Sequence, residues 1–237
     1  MADSSPQKPE MDGATAVTGW RRSLVIGLQK GVYFLAVHWY ALFMLFVLFF
    51  FAGAFFAPAL MASGSSDTGQ MLYRFYAPHN HQLPERSYFL FGTEAPFATY
   101  AIGTLIANGA NPDNLPHFLG NATLGYKTAL NHRMIAIFVG VLVSGFIWRL
   151  RPGQPRISLV GLLLTALPLI VDAFSHAMSE NGSGFRSGSD LIGSLNWWLR
   201  ALTGLLFGWG LVWYFLPRFA DYFARVRARL QPRFGSN

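Results

Sequence analysis

Residues 34–60 read FLAVHWYALFMLFVLFFFAGAFFAPAL, a run without a single charged side chain. A bilayer core about 30 Å thick needs about 20 apolar residues in a helix, so this run is long enough to cross with some tilt. Pro58 and the polar run Ser63–Thr68 are expected to end it. Working outward, three further runs qualify: residues 129–148 (cleanly apolar only from Met134), 157–178, and 197–216, the last stopped by Pro217 and Arg218. The expected fold is an all-α integral membrane protein, a bundle of four transmembrane helices. A long extracytoplasmic segment, residues 61–128, separates helices one and two.

Composition agrees with that fold. Of 237 residues, 52% are apolar or aromatic and only 12% charged, about half the charged share of an average soluble domain. So few charges could hardly cover a soluble globule. There is no cysteine, which excludes a disulfide scaffold, a Cys-ligated zinc or iron–sulfur centre and thiol catalysis. The formal charge of +7 would suit nucleic acid only if the basic residues gathered on one face, and they do not; no nucleic-acid partner is expected. Some thirty mostly polar residues precede the first run, unlike a cleaved signal peptide.

Residues 88–107 (YFLFGTEAPFATYAIGTLIA) are long enough to be a fifth span, but Glu94, Pro96 and two glycines interrupt them. Charge decides. With four spans and the N-terminus inside, twelve of the 18 Lys and Arg are cytoplasmic; a fifth span leaves eight inside and puts the Arg-rich tail outside. The positive-inside rule favours four spans with both termini cytoplasmic. Residues 88–107 then form a re-entrant, interfacial or partner-covered piece, since an irregular backbone cannot face lipid. Residues 1–33 read as a polar tail with an interfacial helix (Trp20–Val32), 34–216 as the membrane domain, and 217–237 as a basic cytoplasmic tail. That tail carries a second amphipathic helix, Arg218–Leu230. Both amphipathic pieces read as helices lying on the inner surface near anionic headgroups. No internal repeat supports an inverted-repeat transporter.

Ionisable residues inside spans are costly and face protein or water. Asp172 lies roughly 9 Å inside the outer end of helix three, with His176 one turn further out on the same face. Asn196 and Arg200 share a row at the outer start of helix four, and His132 and Arg133 open helix two. Alternating helix direction brings these six to one level. Two readings stand: a structural clasp in which Arg200 or Arg133 neutralises Asp172, or a polar pocket for an anionic or quinone-like ligand. Small residues (Ala136, Gly140 and Ser144 on helix two, Gly204 and Gly208 on helix four) let backbones approach beside that cluster. His38 in helix one could ligate haem or chlorophyll magnesium, or be an ordinary interfacial histidine beside Trp39 and Tyr40. The six histidines show no metal-ligand spacing, and no phosphate-binding loop, G-x-S-x-G elbow or His-Glu-x-x-His occurs.

Several pieces in order resemble an uncharacterised family of bacterial polytopic membrane proteins. Asn80-His81-Gln82-Leu83-Pro84-Glu85-Arg86-Ser87-Tyr88 is similar to its Cys-His-Gln-x-Pro-x-Arg-Ser-Phe. Gly125-Tyr126-Lys127 through Asn131-His132-Arg133 is similar to Gly-Tyr-Lys-x-Ala-x-Cys-x-Arg. Leu167-Pro168 through Asp172-Ala173-Phe174-Ser175-His176 and Asn196 through Arg200, Thr203-Gly204 and Gly208 follow. The resemblance implies a fold and a polar constellation, including Asn80, His81 and Arg86, and no activity. Both family cysteines are replaced, by Asn80 and Asn131. Their joint loss fits two side chains that meet in space, which joins the outer loop to the Arg133 cluster. Residues 94–119 look like an insertion.

Two function classes follow, with a transporter a weak third. One is a non-catalytic accessory or assembly subunit of a larger membrane complex, in a respiratory or photosynthetic setting because the Phe-rich first helix suits pigments or quinone tails. The other is a membrane redox protein or enzyme using Asp172, His176, Arg200 and Arg133 around a cofactor or quinone-like ligand. The sequence requires no cofactor; a pigment, haem or quinone fits either class. The expected partners are the bilayer and other membrane subunits.

Overall fold

The computed structural model describes residues 19–151, 153, 156–179, 184, 186 and 188–234, with only the backbone of His79. The expected polar tail before Gly19 lies outside the described residues. Among the described residues, four helices are long and apolar enough to cross a membrane: α1 (Gly19–Ala62), α4 (His132–Leu150), α5 (Leu159–Met178) and α6 (Leu195–Phe234). Between α1 and α4, α2 (Ser66–Tyr76) and α3 (Ile102–Ala107) combine with a small sheet of β1 (Phe89–Leu90), β2 (Phe97–Ala98), β3 (Gly120–Asn121) and β4 (Gly125–Lys127). We call this layer the cap. Its strands pair antiparallel in the order β2-β1-β4-β3.

Residues 88–107 therefore do not span. They turn back after Leu90, cross as β2 and close in the six-residue α3. Gly92 and Pro96 dictate this. A Cβ at Gly92 would stand 2.6 Å from the backbone of Leu124, so only glycine lets the hairpin lie on that loop, and Pro96 supplies the carbonyl that closes it onto Phe91 N at 3.0 Å. Phe89, Leu105, Ala110 and Leu124 form the cap's own core.

Two proline expectations are corrected. Pro58 does not end α1, which runs to Ala62. Proline removes the N–H that Ala54 O would accept, and Ala129 N donates to that carbonyl instead at 3.0 Å. The orphaned acceptor thus becomes the seam between α1 and the segment entering α4, inside a core of Ala54, Ala57, Tyr73, Tyr76, Leu130 and Ile135. Pro217 and Arg218 do not stop α6 either. The Arg218 guanidinium lies 3.7 Å over the Tyr214 ring and donates to the carbonyls of Tyr214 and Ile157, which secures the turn around Pro217.

The chain divides into two compact units: residues 40–222, and a smaller one of residues 1–39 with 223–237. The amphipathic pieces expected as separate surface helices are instead the ends of α1 and α6. Nothing from Trp20 to Phe34 breaks a helix, since Gly27 and Gly31 cost only about 1 kcal/mol each against Ala. In the smaller unit these ends pack together: Trp39 stacks on Phe223 at 5.4 Å, Tyr33 meets Phe234 at 6.2 Å, and Arg233 donates to Gln29 at 3.3 Å.

In the larger unit, α4 and α6 approach backbone to backbone. A Cβ at Gly140 would fall 2.6 Å from Leu205 O, and one at Gly204 would fall 2.9 Å from Arg133 O. That approach sets the depth at which the polar residues of the two helices meet.

Candidate functional site

Asn131 starts the site. Its side chain caps α4 by accepting from Met134 N at 2.9 Å, which fixes the first turn and points His132 and Arg133 from it. Arg133 Nη2 donates to Asp172 Oδ2 at 2.6 Å. The other Asp172 oxygen accepts from Arg186 Nη1 at 2.8 Å. Arg186 lies in the loop between α5 and α6, and its guanidinium also reaches Ser175 Oγ and, through Nε and Nη2, Asn196 Oδ1 at 3.2 and 2.9 Å. Asn196 Nδ2 donates back to Gly188 O at 2.9 Å. One buried carboxylate thus joins α4, α5, α6 and the intervening loop.

A second centre lies beside it. Arg200 Nη1 stands 2.8 Å from Asp190 Oδ1, and Arg86 Nε stands 3.4 Å from Asp190 Oδ2. The Nη2 atoms of both arginines lie 2.8 Å from His176 Nε2. An imidazole nitrogen accepting from two guanidiniums carries no proton, so the ring's hydrogen is on Nδ1. Arg86 comes from the cap, on a single 3-10 turn, Pro84–Arg86, begun by proline. Burial and the nearby Arg200 charge lower its pKa, and Asp190 opposes them. Asp172 is 4% exposed, Arg200 and Asn196 3%, so water screens these pairs little.

Of the two arginines expected to neutralise Asp172, Arg133 pairs with it and Arg200 does not. Asp190 and His176 hold Arg200, while Arg133 and Arg186 take the two Asp172 oxygens. His132 sits at the same end with its ring 4.3 Å from that of Tyr88, whose hydroxyl accepts from Trp197 Nε1 at 2.9 Å. Asn80 and Asn131 do meet: Asn131 Nδ2 donates to Asn80 Oδ1 at 2.6 Å, and Asn80 Nδ2 to Ala129 O. His81 is not brought to the cluster. It is exposed and lines a different cavity, of about 520 Å³, with Arg74, Asn80 and His117. His38 is exposed on α1, its ring 4.6 Å from Phe34. No group of three His, Cys, Asp or Glu among the described residues could hold a metal.

Sequence reasoning missed Arg186 and Asp190. The available signal was two charges standing in a loop otherwise built of Gly, Ser and one Phe (GSGFRSGSD, residues 182–190). It also missed Lys127. That side chain is fully buried in the cap, with Nζ donating to Gln82 O and Pro116 O at 2.6 Å each, while its own carbonyl accepts from Tyr73 OH. Burial pushes its pKa down to about 7, against the opposing pull of Glu85.

A cavity of about 390 Å³ borders the second centre, lined by Glu85, Arg86, Tyr100, His176, Arg186 and Asp190 among others. No curated protein and no solved structure matches the chain. Residues 122–214 match a family model, and that stretch holds β4, α4, α5 and the first half of α6 with every residue of the cluster except Arg86. The sequence pieces from Gly125 to Gly208 fall inside the match, and those from Asn80 to Tyr88 precede it. The family matched over residues 122–214 is described as predicted membrane protein (DUF2085), an uncharacterised family of membrane proteins.

Proposed function

We propose that the chain is a non-catalytic accessory or assembly subunit of a larger complex in a bacterial cytoplasmic membrane, with both termini cytoplasmic and the cap on the opposite face. One observation carries this reading. The cap, outside the four spans, exposes a set of large apolar side chains: Phe91 at 52%, Phe97 at 53%, Ile102 at 47% and Ile106 at 40%. Phe91 does so from a left-handed backbone, φ +65°. That conformation is costly for a bulky residue and tends to persist where function holds it. Exposed aromatics on a rigid support are the anchors that protein interfaces use. The cluster supports the same reading, because its charges are spent on one another and hold the cap to the helices.

The test is purification from native membranes in mild detergent. Co-elution in a fixed ratio with other subunits, lost in a Phe97→Ser/Ile102→Ser variant of unchanged thermal stability, is the expected result. Elution of the wild-type chain alone sinks the proposal.

The cavity beside His176 favours a second reading, a membrane redox protein or enzyme holding a cofactor or quinone-like ligand there. A bound chromophore or extractable quinone that disappears in His176→Ala would establish it in place of the first.

A further inference from the structure

The smaller unit's described residues carry Arg21, Arg22, Lys30, Arg225, Arg227, Arg229 and Arg233, all exposed, and no Asp or Glu. Beside these cations, Trp20, Leu24, Leu28 and Val32 recur every four residues along α1, 72%, 54%, 63% and 45% exposed. Trp20 meets the Arg21 guanidinium, 5.7 Å from its ring centre, while the packing with α6 uses other positions, Gln29, Tyr33 and Trp39, so the apolar row stays exposed among the described residues.

We propose that this two-helix arm is a docking surface for anionic phospholipid headgroups. Three features select lipid over an acidic protein. A tryptophan and aliphatic row interleaved with arginine is the pattern that enters the headgroup–acyl boundary. Seven cations with no carboxylate among them complement a surface of phosphates, where each Lys or Arg strengthens binding by about five-fold. The arm also belongs to α1 and α6, two of the four helices fit to cross a membrane, so headgroups meet it at high effective concentration while a soluble partner must be recruited.

The absence of cysteine from the chain makes the test simple. Full-length Ser23→Cys protein carries an environment-sensitive fluorophore in nanodiscs of phosphatidylcholine, alone or with about one-third phosphatidylglycerol. The readout is quenching by neutral acrylamide. The proposal expects quenching to fall several-fold with phosphatidylglycerol and to recover at 0.5 M salt, where the screening length is about 4 Å. It expects no fall in Arg225→Gln/Arg227→Gln/Arg229→Gln. A label at Thr93→Cys in the cap should read the same in both discs. Equal quenching at residue 23 in both compositions overturns the proposal, as does a fall that 0.5 M salt leaves intact. Protection in phosphatidylcholine discs by added polyglutamate, with none from phosphatidylglycerol, overturns it in favour of an acidic protein. The salt titration uses the arm with all seven cations in place, so the conclusion stands even if the triple variant fails to fold.

Discussion

The cluster, built where α4 begins, α5 ends and α6 begins, and the arm, built from the first residues of α1 and the last of α6, hold most of the described guanidiniums, and they use them in opposite ways. In the cluster each carboxylate serves two arginines; Asp172 and Arg200 are buried, and Arg86, Arg133, Arg186 and Asp190 are mostly shielded from water. In the arm seven cations face outward without a carboxylate among the described residues. The same side chain is therefore a positional device in one place and a charge offered to a surface in the other. Burial decides which. A buried pair adds little net stability over an apolar substitute, yet is costly to break from one side, whereas an exposed cation can be lost at almost no cost to the fold.

The largest effect should follow from breaking the cluster at its shared acid. Asp172→Asn keeps the size of the side chain but leaves the mostly shielded Arg133 and Arg186 without their common counter-ion. The expected loss is about 3–5 kcal/mol of unfolding free energy, read by SDS or thermal unfolding in detergent, and nearly the same at low and high salt. A loss under about 1 kcal/mol would mean that the cluster does not hold the helices together.

Lys127 offers a second buried charge, this time in the cap and with neutral acceptors. Burial lowers its pKa to about 7, from the 10.5 of a lysine in water. Between those values the unfolded chain binds more protons than the folded one, so stability rises with pH across that window. The slope approaches about 1.4 kcal/mol per pH unit at most. Buried tyrosines of the cap, Tyr73 and Tyr88 among them, have raised pKa values and act oppositely near pH 10, so the useful range is about pH 7–9.5. Unfolding followed over that range should show the rise in the wild type and a flatter profile in Lys127→Met. Parallel profiles would mean that the ammonium is not paying a burial penalty.

These two regions also show what a sequence can and cannot announce. The spans were legible because a bilayer imposes length and apolarity on contiguous residues, and the row of Asp172 and His176 was legible because helical spacing is local. The pairing of Asn80 with Asn131 was legible through a resemblance in which both positions change together. Arg186 and Asp190 were not, because a loop has no period and its side chains are aimed by tertiary contacts. Those two residues changed the wiring, taking the second Asp172 oxygen and capturing Arg200. The stops of α1 at Pro58 and of α6 at Pro217 were misread for a related reason: proline is a local stop signal. Whether a helix passes through it depends on distant partners, such as Ala129 N for the carbonyl that Pro58 frees.

The smallest expected effect sharpens the comparison from its exposed side. Arg156 and Asp221 form a two-pronged pair, one prong at 2.8 Å, between the residue approaching α5 and the turn of α6 that follows Pro217. By geometry alone it rivals Arg133 with Asp172. Its side chains, however, are 54% and 46% exposed, so water and salt screen the attraction, and both chains give up rotamer freedom to hold it. Asp221→Asn should then cost under about 1 kcal/mol at low salt, and less at 0.5 M salt. Side-by-side unfolding of Asp221→Asn and Asp172→Asn in one detergent is the measurement. Equal losses would mean that hydrogen-bond geometry, and not exclusion of water, sets the value of an ion pair in this protein, and the contrast between its two charged ends would lose its physical basis.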